Sequence, residues 1–462
     1  MTKKANQLLL INPVNPDRTG LTVNKSSRFP PLGLGVIAAL TPETWDVSLI
    51  DENWETFAFR HADLVGITAF TASANRAYAI AKLYRDKGIP VVIGGIHASM
   101  CTEEALQHAD TVVIGEAETI WPEVLADFKA GRLKKIYRGG FADLKSMPPP
   151  RRDLFNPKYL FASIQTSRGC PMDCDFCSVT AFNGHRYRRR PVEDVLEELK
   201  TIPDKMMFFV DDNIVGYSRE SRDQVLELFK GMVKLKINKW WFCQASLNFA
   251  DDEELLLWAG RAGCKMVFLG LEAEEADALV EVNKRLNVKR GVGFYADAFR
   301  RIQRAGIAVL GAFIFGMDND TVEKLQHRAD YMMESGINVM QSTLLTPLPG
   351  TRLFKQYNRE KRLIHATQPH NWDHYDMTEV VYRPCCMTSD VLNMKFDSLN
   401  AQLYAWPVLA RKAIRSLLQT RNLVATMFSL QSNLNYRAVT KSLRKTREKQ
   451  REEILCHPIS QV

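Results

Sequence analysis

Residues 161–177, FASIQTSRGCPMDCDFC, join an apolar strand pattern to three cysteines at spacings of four and three. Five more strand patterns follow, separated by helical ones, and they read MMFFVDD, WWFCQASL, MVFLGLE, IAVLGAFIFG and NVMQSTLLTPLPG. Strands that alternate with helices pair in parallel. Six such units predict a partial (β/α)6 barrel of the TIM type over residues 161–350. Chemistry in such barrels lies at the carboxyl ends of the strands, which is where the cysteines stand.

The chain before the barrel shows the same alternation. Five apolar strand patterns in residues 1–135 predict a five-stranded, doubly wound, Rossmann-like parallel sheet, so the fold class is α/β. Ligands of such sheets bind beyond the carboxyl ends of the strands, where Gly94 and Gly95 stand in the sequence GGIH. The proline-rich residues 136–160 predict a linker. Residues 351–462 predict a mostly helical C-terminal extension with basic helices.

The amino-acid composition indicates what class of protein this is. A chain of 462 residues with 46% hydrophobic and 25% charged residues is typical of a folded protein with more than one core. Nine unevenly spaced cysteines favour reduced thiols or metal ligands over disulfides, so we expect a cytoplasmic protein.

The net charge of +8 is concentrated near the C-terminus. There the basic tail over residues 411–451 interleaves leucines with Lys and Arg. It predicts either a solvated helix face or a peripheral contact with an anionic membrane. No nucleic-acid partner is expected, because no binding module accompanies the charge.

Three thiolates this close can converge on one soft metal site. Structural zinc requires four ligands, usually as two separated pairs, and no second pair at matching spacing is visible. An iron–sulfur cluster held by three cysteines keeps one iron free for another ligand. Three unrelated buried thiols, and a non-catalytic zinc or iron–sulfur module, are the alternatives.

The segment SRGCPMDCDFCSV, residues 167–179, resembles the signature of the radical S-adenosylmethionine (radical SAM) superfamily. By that resemblance, Cys170, Cys174 and Cys177 hold three irons of a 4Fe–4S cluster, and SAM chelates the fourth. An electron donor such as flavodoxin or ferredoxin is implied. The cluster's electron cleaves SAM to a 5′-deoxyadenosyl radical, which abstracts hydrogen from an unreactive carbon.

The same resemblance implies that the ends of the later strands hold SAM. The two aspartates would bind the amino group of SAM, and the glutamine and serine would bind its carboxylate or ribose. The glutamate would accept a hydrogen bond from a ribose hydroxyl, and the glycines would let the backbone approach SAM closely. The candidates are Asp211, Asp212, Gln244, Ser246, Gly270, Glu272 and Gly316. For each of them the alternative is a helix cap, a turn former or a packing position.

Residues 7–400 are similar to the branch of this superfamily that has an N-terminal cobalamin-binding-type domain, on the segments PPLGLGVIAAL, DVSLIDEN and VVIGGIHASMCTEEAL. Domains that bind cobalamin through histidine carry Asp-x-His-x-x-Gly after the first strand, and this chain has NPDRTG at 15–20. The resemblance still implies cobalamin, with a domain that binds none as the alternative. His97 is expected to be a cap or core residue.

The resemblance implies an enzyme that methylates an unactivated carbon of a small hydrophobic metabolite, such as a lipid, hopanoid, tetrapyrrole or natural product. Cobalamin-independent cyclisation, hydroxylation or carbon–carbon coupling is the alternative. Two further clusters were weighed and are expected to bind no metal. Cys385 and Cys386 are adjacent and could share an auxiliary cluster with the distant Cys456, but adjacent side chains on an extended segment point apart. His370 and His374 are expected to lie in a loop.

Overall fold

The computed structural model describes residues 5–15, 25–365 and 371–456. The N-terminal domain contains a parallel sheet with the strand order β2-β1-β3-β4-β5-β6. Its strands are β1 (Asn6–Asn12), β2 (Trp45–Asp51), β3 (Leu64–Thr68), β4 (Val91–Gly94), β5 (Thr111–Ile114) and β6 (Ile136–Arg138). The prediction of five strands was wrong by one, since β6 lies in the segment expected to be a linker. Three residues are too few to show a strand period, and only pairing with β5 reveals β6.

Helices cover both faces of this sheet, as the alternation predicted. They are α1 (Leu32–Leu40), α2 (Ala74–Arg85), α3 (Ile96–Met100), α4 (Thr102–His108) and α5 (Trp121–Lys129). Successive side chains of a strand point to opposite faces, so Leu9 and Ile11 of β1 enter one core while Leu8 and Leu10 enter another. The inner strands β3, β4 and β5 are therefore largely apolar, whereas the edge strand β2 exposes Asp46.

The second domain is an open barrel. Its strands are β7 (Ala162–Ile164), β8 (Ser167–Arg168), β9 (Arg188–Arg189), β10 (Met206–Phe209), β11 (Trp240–Ala245), β12 (Cys264–Glu272), β13 (Ala308–Phe315) and β14 (Val339–Leu344). Six of them form a parallel sheet in the order β14-β13-β12-β11-β10-β7, which confirms the predicted partial barrel. The remaining two, β8 and β9, pair in antiparallel fashion and form a short ribbon.

The barrel helices are α6 (Ser178–Asn183), α7 (Val192–Thr201), α8 (Arg219–Lys234), α9 (Glu253–Arg261), α10 (Ala276–Glu281), α11 (Arg285–Arg290), α12 (Tyr295–Arg304), α13 (Val322–Glu334) and α14 (Arg352–Arg359). The helical pattern ADALVEVNKRL, at residues 276–286, does not form one continuous helix. The chain breaks at residues 282–284, where Asn283 has a φ of 57°, so that α10 and α11 are separate. This break lies beside the cysteine loop.

The C-terminal extension contains α15 (Ser389–Leu403), α16 (Trp406–Thr420) and α17 (Leu423–Cys456). It packs on both domains. Trp372 is buried in a core of the N-terminal domain, where its indole Nε1 donates to Glu104 Oε1 at 2.8 Å. Tyr404 and Leu409 belong to the barrel core. Among the described residues, none of the helices combines the length and the apolarity that crossing a bilayer requires.

Candidate functional site

The cysteine loop lies between β8 and β9, directly beyond the carboxyl end of β7. Cys174 is buried and Cys170 and Cys177 are half-buried. Burial raises the pKa of Cys170 to about 11 and that of Cys174 to about 12, and it raises the pKa of Cys177 as well. Charge repulsion from neighbouring cysteine sulfurs adds to the shifts of Cys170 and Cys174. Metal binding at this loop must therefore displace protons.

Neighbouring elements hold the loop in place. The Asn283 side chain, in the break between α10 and α11, donates to the Asp173 carbonyl at 2.5 Å. Arg352, at the start of α14, donates from Nη1 to Asp173 Oδ1 at 2.6 Å and from Nε to Asp175 Oδ1 at 2.8 Å. The next amide, that of Leu353, donates to the Asp175 carbonyl at 3.0 Å. The loop is thus preorganised by two other units of the barrel.

A buried ion pair stands over the cysteine loop. Lys284 Nζ lies 2.6 Å from Glu272 Oε1. A Cβ at Gly270 would lie 2.5 Å from this carboxylate and 3.0 Å from the ammonium, so the pair occupies the space that the glycine leaves. Burial lowers the pKa of Lys284, but attraction to Glu272 and to Cys174 outweighs it, and the net shift is upward. Lys284 was not among the predicted site residues, because no local signal marks a lysine whose partner is Glu272.

Asp211 lies at the end of β10 and is fully buried. It accepts hydrogen bonds from the Thr166 backbone N–H at 2.9 Å and from the Ser167 hydroxyl at 2.5 Å, so it anchors the chain that enters the cysteine loop. Burial raises its pKa, against the effect of these hydrogen bonds. Gln244 lies beside it and donates to the Asp211 carbonyl at 3.5 Å.

Asp212 faces the cysteine loop more directly. Its Oδ2 accepts from Gly169 N at 3.3 Å and from Asn183 Nδ2 at 3.1 Å, and its charge raises the pKa of Cys170. Ser246, further along the same edge, accepts from Asn213 Nδ2 at 3.2 Å. The carboxyl edge of the barrel therefore gathers the polar candidates, and their contacts with SAM stay predictions.

Gly316 stands apart from the other candidates. A Cβ there would lie 2.5 Å from the Tyr382 hydroxyl and 2.7 Å from Leu392 Cδ2, both in the C-terminal extension. The Asp320 carboxylate accepts a hydrogen bond from the Gly316 amide at 2.8 Å. Packing against the extension explains this glycine, and a close approach of its backbone to SAM stays a prediction.

A cavity of about 790 Å³ lies between the two domains. One wall is the carboxyl edge of β3, β4 and β5, and it includes Gly94 and Gly95. A Cβ at Gly95, where φ is 94°, would come within 3.0 Å of the Ala69 backbone, so only glycine fits. Ser178 and Asp212 belong to the opposite wall, which brings the cavity to the cysteine loop. This glycine-lined bed fits a large planar cofactor such as a corrinoid.

His97 is a core residue, as expected. It is 1% exposed, its Nε2 lies 3.1 Å from the Tyr78 hydroxyl, and its Nδ1 lies 3.3 Å from Thr71 Oγ1. In the part of the chain that the structure describes, the cavity is lined by no histidine. The segment NPDRTG lies, from its second residue onward, outside the described residues.

A buried charge network joins the cavity to the cysteine loop. Glu116, just after β5, lies 3.1 Å from Arg168 Nη1 and also forms a close ion pair with Arg188. Glu118 lies 2.5 Å from Arg168 Nη2. Arg168 and Arg188 are paired across the ribbon of β8 and β9, whose connection contains the cysteines. Burial raises the pKa of Glu116, but the hydrogen bond from Arg188 and the charge of Arg168 outweigh burial and lower it.

The structure describes part of the other clusters weighed in the sequence, and the expectation that they bind no metal stays a prediction. Cys385 and Cys386 are exposed, and the Cys386 thiol lies 3.2 Å from the Asp318 carbonyl. The side chain of Cys456 and all of His370 lie outside the described residues. His374 pairs with Glu379 at 2.9 Å.

Comparison with known proteins matches this architecture domain by domain. The B12 binding domain family matches residues 18–125, and the Radical SAM superfamily matches residues 164–332. Bacteriochlorophyllide d C-12(1)-methyltransferase of Chlorobaculum tepidum is 30% identical over 89% of this chain and 90% of that protein. Hopanoid C-2 methylase of Rhodopseudomonas palustris is 27% identical over 86% of this chain and 80% of that protein.

A solved structure shares the fold. It is the radical SAM methyltransferase TsrM of Kitasatospora setae with cobalamin and a 4Fe-4S cluster bound, at a TM-score of 0.60 and 20% identity over 77% of this chain and 78% of that one. The family matches and the relatives confirm the resemblance drawn from the cysteine spacing. The chain belongs to the radical SAM superfamily of enzymes, in the branch of methyltransferases with an N-terminal B12-binding domain.

Proposed function

We propose that this protein is a cobalamin-dependent radical SAM C-methyltransferase that acts on an unactivated carbon of a hydrophobic metabolite. The observation that carries the proposal is the cavity between the domains. Its walls join the carboxyl edge of the N-terminal sheet to the residues beside Cys177, and the extension closes it with Tyr375 and Met377. A site for two cofactors and one substrate needs such a shared space.

Different residues would hold the different cofactors. Cys170, Cys174 and Cys177 bind the cluster, while Lys284 holds the Glu272 carboxylate in place over the loop. When bound, the cluster and SAM would supply the hydrogen-abstracting radical, and cobalamin would supply the methyl group. The bed formed by Gly94 and Gly95 suits the corrinoid.

The cavity walls favour an apolar substrate. Val179, Phe182, Leu348 and Met377 are among the side chains that line it, and they give it an apolar surface. Methylases of bacteriochlorophyllide and hopanoid are relatives, which supports a tetrapyrrole or polycyclic lipid as the class of substrate.

Anaerobic reconstitution with iron, sulfide and hydroxocobalamin, followed by desalting and counts of metal and corrinoid, tests the cofactor assignment. The variant Gly94→Leu would place its side chain in the cavity, because the nearest atoms to a Cβ there lie 3.8 Å away. We expect it to lose corrinoid and keep iron, whereas Cys174→Ala should lose iron. Gly140→Leu is the matched control, since a Cβ at Gly140 meets no atom within 4 Å.

Corrinoid retained equally by Gly94→Leu and wild type would contradict the proposed bed. A wild-type protein that holds the cluster without corrinoid would favour cyclisation, hydroxylation or coupling. If the enzyme holds both cofactors, it is incubated with methyl-deuterated SAM and with extracts of pigments or of lipids. The methylated product is then identified by its deuterium label. Label in neither extract, from enzyme that holds both cofactors, would contradict the proposed class of substrate.

A further inference from the structure

Helices α16 and α17 form a hairpin whose inner side is fastened to the barrel. Lys412 Nζ donates to the carbonyls of Met332, Ser335 and Ile337, at 2.8, 2.9 and 3.0 Å. Asn422, at the turn of the hairpin, donates to the Gly306 carbonyl at 3.0 Å. These contacts hold the hairpin rigidly against the chain that precedes β13 and β14. That chain forms the amino-terminal end of the barrel.

The outer side of the same hairpin is apolar and exposed. Ile414, Leu417 and Leu418 of α16 and Leu423 and Met427 of α17 are between 45% and 69% exposed. We call these five residues the hairpin patch. On α16 they recur at spacings of three and four, and on α17 at a spacing of four, so each set lies on one face of its helix. An apolar surface of this kind on a folded domain marks an interaction site.

The charge around the hairpin patch indicates the chemistry of its partner. Residues 398–447 contain nine Lys or Arg and not one Asp or Glu. Arg411 and Arg421 are exposed near the patch, and Arg415 is half-buried on the same helix as Arg411. Apolar side chains framed by arginines, in a segment without acidic residues, match the surface of an anionic bilayer, where apolar burial and charge attraction add.

We propose that the hairpin patch docks this protein on an anionic lipid bilayer. The inference stands apart from the proposed reaction, since it rests on the outer face of the hairpin alone. It also sets an orientation. β13 has eight residues, which corresponds to roughly 26 Å of strand, and the cysteine loop lies at the opposite end of the barrel. Docking would therefore leave the cavity and the cysteine loop facing away from the bilayer.

Cosedimentation of the full chain with vesicles tests the proposal. We expect binding to phosphatidylglycerol–phosphatidylcholine vesicles that is strong at low salt, weaker at high salt, and near zero with pure phosphatidylcholine. Each arginine near an anionic surface accounts for about a fivefold change in affinity. The double variant Arg411→Gln/Arg421→Asn should therefore bind about 25-fold more weakly, and asparagine tolerates the left-handed backbone of residue 421.

A second pair of variants tests how much the apolar side chains contribute to vesicle binding. Leu418→Gln/Met427→Gln should lower vesicle affinity at least tenfold. The matched control is Leu83→Gln/Leu257→Gln, at positions 45% and 47% exposed on other helices, and it should bind like wild type. Unchanged melting temperatures would show that each variant is folded.

Two results would overturn the proposal. One is patch variants that bind vesicles as well as the control pair. The other is a wild-type chain that ignores anionic vesicles but is a dimer by light scattering, with the patch variants monomeric. In that case the patch is an interface between two copies.

Discussion

Replacing Glu116 with glutamine tests whether the N-terminal domain holds the cysteine loop in place. The Glu116 side chain is 2% exposed and accepts hydrogen bonds from Arg188 and from the Ala142 amide, the latter at 2.7 Å. Glutamine has nearly the same shape and keeps one acceptor oxygen for that amide. It removes the charge that Arg168 and Arg188 face, and Glu118 alone cannot neutralise both.

The magnitude follows from the burial of the network. Breaking a buried ion pair by removing one partner costs about 3–5 kcal/mol, because the remaining charge stays desolvated. We expect about 3 kcal/mol for Glu116→Gln, since one hydrogen bond survives. The pKa of Glu116 is lowered in the folded state, so its stabilising contribution is present above its unfolded value of 4.5 and is lost as the pH falls below it.

The assay is urea denaturation at pH 7, together with the electron paramagnetic resonance spectrum of the reconstituted, reduced cluster. Glu116→Gln should lower the free energy of unfolding and alter the spectrum, because the ribbon that frames the cysteines loses its anchor. The control is Glu123→Gln, which breaks an exposed pair with Lys134 and should cost under about 1 kcal/mol.

A double-mutant cycle with Arg168→Met isolates the pair itself. It should show a coupling energy above about 1 kcal/mol. A loss for Glu116→Gln no larger than that of the surface control, with an unchanged spectrum, would refute the reasoning.

Three other substitutions probe buried polar groups. Arg328→Met leaves Glu274 and Asp320 buried without their cation and should cost about 3–5 kcal/mol in urea denaturation; a cost under 1 kcal/mol would contradict this. Burial lowers the pKa of Lys412 to about 7 from 10.5. Between pH 7 and pH 10 the folded protein therefore binds fewer protons at Lys412 than the unfolded chain does. The free energy of unfolding of the wild type, relative to that of Lys412→Met, should rise by up to about 1.4 kcal/mol per pH unit over this range. Parallel stability curves would exclude that shift. Asn283→Gly keeps the left-handed backbone but loses the hydrogen bond to the cysteine loop, so iron content after reconstitution should fall while the melting temperature changes little; full iron content would show that this bond is dispensable.

The order of strands and helices was readable from the sequence because its signals are local. β13 is an eight-residue run that is buried throughout, and such a run between helical patterns predicts a strand of a covered parallel sheet. β6 was missed because a three-residue strand has no period of its own. The break between α10 and α11 was missed because Asn283 is held in its conformation by the Asp173 carbonyl, which is 110 residues away.

The residues of the candidate site likewise differ in whether a local sequence signal marks them. Cys170, Cys174 and Cys177 could be identified because their spacing within one loop is itself the signal. Lys284 could not, since its role depends on Glu272 and on a helix break. Gly316 was assigned to a cofactor contact by its place after a strand, whereas its nearest neighbours lie in the extension.

The sequence by itself determined the alternation of strands and helices, the cysteine spacing and the family that both indicate. Each of these signals is carried by residues that are close in the chain, so no knowledge of the folded shape is needed to read it. Only the tertiary structure decided that Glu116 meets Arg188 across 72 residues of chain, and that one cavity touches both domains. Such contacts arise from the packing of whole domains, and sequence spacing carries no record of them.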